Sequence, residues 1–199
     1  MHIVDQACDL TTSALGAGRW RRMLYPLIFH LPGLQRSGKV REWWAVATHW
    51  MNVPGPFYTG QTDNCWTGRV HAPHNVLYGG PYYNEFVYRQ PRSPAEVDCL
   101  LEAANDDPYA GYACDGDARW TPAAVRAWWG NRGKVEEHLA ELLAEYAKEG
   151  ADAQDIDAAA GVRDFLAYLA TDLANDLRIY LFRLENGRYP NTDDLLPIL

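Results

Sequence analysis

Lysine is nearly missing from this chain: three residues against fifteen arginines in 199. Together with abundant alanine, this is the usage of a GC-rich, bacterial genome, and it removes functional weight from the arginines as a group. Cysteine is present without a pattern. Cys8, Cys65, Cys99 and Cys114 make no CxxC pair, so a thioredoxin-type motif and a closed zinc site are both unsupported. Reduced thiols are expected. Long apolar runs are absent too. The stretch Met23–Leu31 is too short to span a bilayer and carries Pro26. The first residues lack the basic–apolar–small order of a secretory leader. A cytoplasmic protein with no membrane segment is therefore expected. There is no GxGxxG, Walker A loop, GxSxG elbow or kinase signature, which leaves nucleotide-dependent and serine-hydrolase chemistry without support. Repeats and low-complexity tracts are also missing.

Aromatic residues are plentiful. Eight Trp and twelve Tyr lift the aromatic share to 13% within a hydrophobic content of 48%. That is enough to build a core, and Trp and Tyr also build recognition surfaces. The net charge of −8 is unevenly spread. Residues 1–95 hold nine Lys and Arg against five Asp and Glu, whereas residues 96–199 hold nine against twenty-one. This balance argues against nucleic acid as the partner, because phosphate contacts need a positive face. An acidic half matches a basic protein partner, or a solvated helical surface.

The order of signals predicts an α+β fold in one domain over 1–199. A β-containing, loop-rich half (1–92) precedes an acidic helical half (93–199). Residues 75–78 and 84–89 read as two strands around Gly79-Gly80-Pro81. Residues 41–50 are taken as a third, since a lone hairpin is marginal in water. Ser93-Pro94-Ala95-Glu96 opens a helix with a capping box, and Asp106-Asp107-Pro108 closes it. Thr121-Pro122 opens another, and Gly130–Gly133 breaks it. Residues 134–148 form a further helix. A long amphipathic helix follows from Asp155, carrying Phe165, Leu169, Leu173, Leu177 and Leu181, and Asn186-Gly187 ends it.

Residues 54–91 alternate Gly, Pro, aromatics and hydrogen-bonding side chains without helical period, so they present chemistry as well as packing. Asp63, Cys65, His71 and His74 are the candidate catalytic residues if the protein is an enzyme. A thiol beside an imidazole permits nucleophilic catalysis. The same set could ligate zinc, but Pro73 within His-Ala-Pro-His forbids the helical HxxH geometry. Asp115-Gly116-Asp117 lacks calcium-loop spacing. Glu136, Glu137, His138, Glu141 and Glu145 lack the Glu-x-x-His of carboxylate-bridged metals. No metal and no cofactor are expected.

The leading expectation is a non-catalytic partner-binding protein of immunity, inhibitor or regulatory type. Its candidate binding residues are Tyr58, Trp66, Arg69, His71 and His74 on the loop, with Asp164, Asp172 and Asp176 on the last helices. A small hydrolase or transferase with its site at 58–74 is the alternative.

Overall fold

A computed structural model describes residues 49–199. The strand expected at 41–50 lies mainly outside the described residues. His49 and Trp50 are described, and they lead into a turn rather than forming strand.

The hairpin expected near 75–89 forms. Strand β2 (Val76–Tyr78) pairs antiparallel with β3 (Glu85–Val87), with Leu77 opposite Phe86 and Val76 opposite Val87. Alternation along a strand sends neighbouring residues to opposite faces, and here both faces are buried. Leu77 and Phe86 join a core with Leu139, Leu142, Val162, Phe165 and Leu177. Val76 and Val87 join a second core with Phe57, Val97, Leu100 and Ala103. The hairpin is thus the middle layer of three.

Strand β1 (Tyr58–Thr59) pairs with β4 (Tyr112–Ala113), so among the described residues the strands form two antiparallel pairs. Side chains bridge the gap between them. Asn52 Oδ1 accepts from Thr59 N at 3.1 Å and Val87 N at 2.9 Å, while its Nδ2 donates to Thr59 O at 2.7 Å. Thr59 Oγ1 donates to Glu85 O at 2.7 Å. A buried amide with both ends satisfied does the work of a strand ladder.

Seven helices are present among the described residues: α1 (Thr67–His71), α2 (Pro94–Asp106), α3 (Gly116–Arg119), α4 (Pro122–Gly130), α5 (Arg132–Tyr146), α6 (Ala153–Ala170) and α7 (Leu173–Asn186). Helices α2 and α4 start where their caps predict. Ser93 Oγ accepts Glu96 N, and Thr121 Oγ1 accepts Ala124 N. Glu96 reaches back to the N–H of Arg92, one residue earlier than a standard capping box. Helices α5 and α6 pack together, as do α4 and α7.

The long helix expected after Asp155 is two helices. The hydrophobic period runs through the break, but the backbone does not. Thr171 leaves helical geometry, and its hydroxyl donates back to Ala167 O at 2.8 Å. Such back-bonding competes with the helix ladder. Gly187 caps α7 with φ 66°, a left-handed position that glycine adopts freely.

Leu169 and Leu173 flank this break and are 5% and 0% exposed. Replacing either by alanine is expected to cost roughly 2–5 kcal/mol through the cavity left behind. Urea unfolding of the two variants measures it.

Candidate functional site

The loop from Tyr58 to Asn75 is built inward. Tyr58 lies in β1, 3% exposed, and its hydroxyl donates to Asp115 Oδ1 at 2.6 Å. Asp63 sits at the mouth of α1. One carboxylate oxygen accepts Cys65 N at 2.9 Å, and the other accepts Thr67 Oγ1 at 3.0 Å. Trp66 turns the chain with φ 67° and stacks its ring on Tyr78, centroids 3.9 Å apart.

Arg69 is buried, 5% exposed, and all five of its N–H donors are used. Nε and Nη2 fork onto the carboxylate of Asp157 at 2.6 and 3.0 Å. Nη2 also donates to Asp157 O, and Nη1 donates to Pro73 O and Val76 O. A guanidinium offers five donors in a fixed plane, and here the fold meets every one.

The four candidate catalytic residues do not form one constellation. His71 Nε2 pairs with Asp106 Oδ2 at 2.6 Å, joining α1 to the end of α2. His74 is exposed beyond Pro73, and Cys65 is exposed before α1. The Asp63 carboxylate is occupied by the turn it caps. Among the described residues no three His, Cys, Asp or Glu side chains gather as a metal site.

Two polar residues inside the fold have no obvious mark in the sequence. One is Asn52. The other is Glu85, fully buried at the start of β3. Its Oε1 accepts the N–H groups of Gly68 and Arg69 at 2.8 and 3.2 Å, and its Oε2 accepts Tyr112 OH at 2.6 Å. Burial is the main cause that pushes its carboxyl up to about 7, against the donors that pull it down. A glutamate opening an apolar strand run was the available signal.

The three aspartates of the last helices hold the segment after β3. Asp164 accepts from Tyr88 OH at 2.7 Å and Arg89 Nη2 at 3.1 Å. Asp176 accepts from Arg92 Nη2 at 3.1 Å and Tyr168 OH at 2.8 Å. Asp172 stands 3.9 Å from the same Arg92 nitrogen. Arg89 and Arg92 both lie over the Tyr168 ring. Beside this tether is a cleft of about 60 Å³ lined by Val53, Gln90, Arg92, Tyr168, Asp176 and Tyr180 among others, with room for little more than a side chain.

Aromatic side chains are presented to solvent elsewhere, in the turn between β2 and β3. Tyr82 and Tyr83 are consecutive residues in left-handed conformation, φ 61° and 59°. They are 89% and 42% exposed. The turn is fixed to α5 at two points: His138 Nε2 bonds Gly79 O at 2.7 Å, and Tyr83 OH donates to Glu145 at 2.7 Å. Trp50, 42% exposed, meets the His138 ring edge-on at 5.6 Å. Behind it, the His49 ring stacks on Phe86, and burial holds His49 down at about 4. It is neutral at physiological pH.

No protein-family model, curated protein or solved structure matches this chain. No helix among the described residues is long and apolar enough to cross a membrane.

Two outcomes test this geometry. The folded state holds the Glu85 proton more tightly than the unfolded chain, so its stabilisation is full below about pH 4.5 and declines as pH rises through about 7. Glu85→Gln keeps the acceptor for the two N–H groups and does not titrate. Unfolding free energies at mildly acidic and neutral pH are expected to diverge less in the variant, by up to about 3 kcal/mol. Asp157→Asn leaves a buried guanidinium without its counter-charge. A loss of about 2–3 kcal/mol is expected in urea unfolding, at the low end for a broken buried pair because Asp157 is half exposed.

Proposed function

We propose that the protein acts by binding a macromolecular partner, as immunity, inhibitor and regulatory proteins do, through the turn 79–84 and the adjoining face of α5. One observation carries this reading: two consecutive exposed tyrosines are held in left-handed conformation against α5. Left-handed geometry costs a non-glycine residue on the order of 1–2 kcal/mol. Among the described residues the Tyr82 ring, 89% exposed, does not recover that cost by burial. Rigid aromatic side chains on a fixed turn, with Trp50 against the His138 ring that holds the same turn, supply the anchors on which protein interfaces depend.

This surface differs from the one expected on the loop. Tyr58 and Arg69 are inside the fold and Trp66 is half-buried on Tyr78. Asp164 and Asp176 are engaged by Tyr88, Arg89, Arg92 and Tyr168. The contacts these residues make support a role in holding the platform, with His71 tied to Asp106 and His74 left toward solvent.

The catalytic alternative rests on a single feature, the His71–Asp106 pair. A carboxylate that orients an imidazole is half of a general-base device. The thiol of Cys65 makes no hydrogen bond to that ring among the described residues. If the enzyme reading holds, Cys65→Ser and His71→Ala abolish a turnover while partner binding persists.

Tyr82→Gly separates recognition from folding. Glycine removes the ring and relaxes the backbone, so thermal stability is expected to hold or rise. A partner recovered by the wild-type protein is expected to be lost, or to bind at least tenfold more weakly. A partner retained at full affinity by Tyr82→Gly overturns the assignment of this surface.

A further inference from the structure

Resting on the partner-binding reading, we infer that the segment docking on the turn 79–84 and α5 is cationic, an arginine-bearing stretch of a protein.

The choice of occupant comes from where charge is left over. Across the described residues the arginines are largely matched by acids of the same chain. Arg69 pairs with Asp157, Arg89 with Asp164, Arg92 with Asp176, Arg126 with Glu185, Arg183 with Asp117 and Arg188 with Asp194. On α5 the carboxylates are not matched in this way. Glu136, Glu137 and Glu141 are exposed, and no Lys or Arg lies within ion-pair distance of them among the described residues. The contact recorded for Glu141 is the His138 ring at 3.6 Å. Glu137, Glu141 and Glu145 recur every four residues, a spacing that stacks like charges along one helix face. Arg132 and Lys134 stand in the first turn of the helix, and Lys148 lies two residues beyond its end. The stripe therefore keeps a negative field over its middle, where the aromatic turn attaches through Tyr83 and Glu145.

The aromatic half of the surface selects among cations. Tyr82 and Trp50 expose ring surface next to that field. A cation over a tyrosine or tryptophan face is attracted by the ring quadrupole, and a guanidinium also stacks flat upon it. Arg132 already lies over Trp129 at 4.2 Å, and Arg89 lies over Tyr168 at 4.6 Å, so this contact is in use within the fold. A planar fork can also take Glu141 while its plane rests on a ring, which an ammonium cannot do. Nucleic acid is repelled by the same field.

The test uses the purified full chain and three synthetic peptides of about ten residues, alternating glycine with arginine, lysine or glutamate, at about 0.02 M and 0.15 M salt. The arginine peptide is expected to bind several-fold more tightly than the lysine peptide, and the glutamate peptide not at all. Tyr82→Gly is expected to weaken the arginine peptide several-fold at both salt concentrations. Glu141→Gln, an exposed change that leaves the fold intact, is expected to flatten the salt dependence. Equal binding of arginine and lysine peptides, with no response to Tyr82→Gly, overturns the inference by reducing it to diffuse charge attraction. If a native partner is lost on Tyr82→Gly while the arginine peptide fails to bind, the cationic occupant is wrong and the partner surface stands. If the native partner is indifferent to Tyr82→Gly, the partner surface itself is wrong.

Discussion

One buried cation organises the described part of this protein. Arg69 brings a full charge into the interior, and that is tolerable only because every donor of its guanidinium is met. Meeting them fixes three things together. The carbonyls of Pro73 and Val76 are pinned, which sets the exit from α1 into β2. Asp157 is pinned, which brings α6 against the hairpin. Helix α6 must then come close enough that no side chain fits at Gly161, where a Cβ would lie 2.6 Å from Arg69 Nη1. A glycine within a helix costs about 1 kcal/mol relative to alanine, and this close approach explains its presence.

The parts of the fold that were legible in the sequence are those governed by local rules. Ser93-Pro94 and Thr121-Pro122 predict helix starts because caps act within three residues. The hairpin announces itself by glycines between two short apolar runs. What stayed hidden depends on contacts far apart in the chain. Asn52 replaces a strand ladder with one amide, and nothing about an isolated asparagine signals that. The break at Thr171 is masked because Leu169, Leu173 and Leu177 keep a helical period across it. Asp164 and Asp176 read as part of an acidic binding face, since Arg89 and Arg92, which engage them, are 75 and 84 positions away.

The candidate site was legible only in part, for a related reason. Composition pointed to aromatic recognition, and the loop richest in Gly, Pro and aromatics was the natural place to look for it. Yet Tyr58, Trp66 and Arg69 are drawn into the structure by Asp115, Tyr78 and Asp157, partners from other elements. Tyr82 and Tyr83 are left outside by the opposite circumstance. Their turn is anchored through Gly79 O and through the Tyr83 hydroxyl on Glu145, which leaves the Tyr82 ring outside. A pair of adjacent tyrosines after Gly-Gly-Pro was the only sequence mark of that arrangement.

The Arg69–Asp157 clamp also has a consequence for the order of assembly. Its two halves are 88 residues apart. A chain emerging from the ribosome presents the loop and the hairpin well before α6 exists, and for that interval the guanidinium has no counter-charge to carry it inward. Closing so long a loop is entropically expensive before its contacts repay it. The hairpin face bearing Val76 and Val87 meets Phe57, Val97 and Leu100, all made early, whereas the face bearing Leu77 and Phe86 lacks its cover until Leu139, Val162 and Phe165 have been made. The 88 positions between the two halves are thus also the length of chain that must be made before the buried cation can be neutralised.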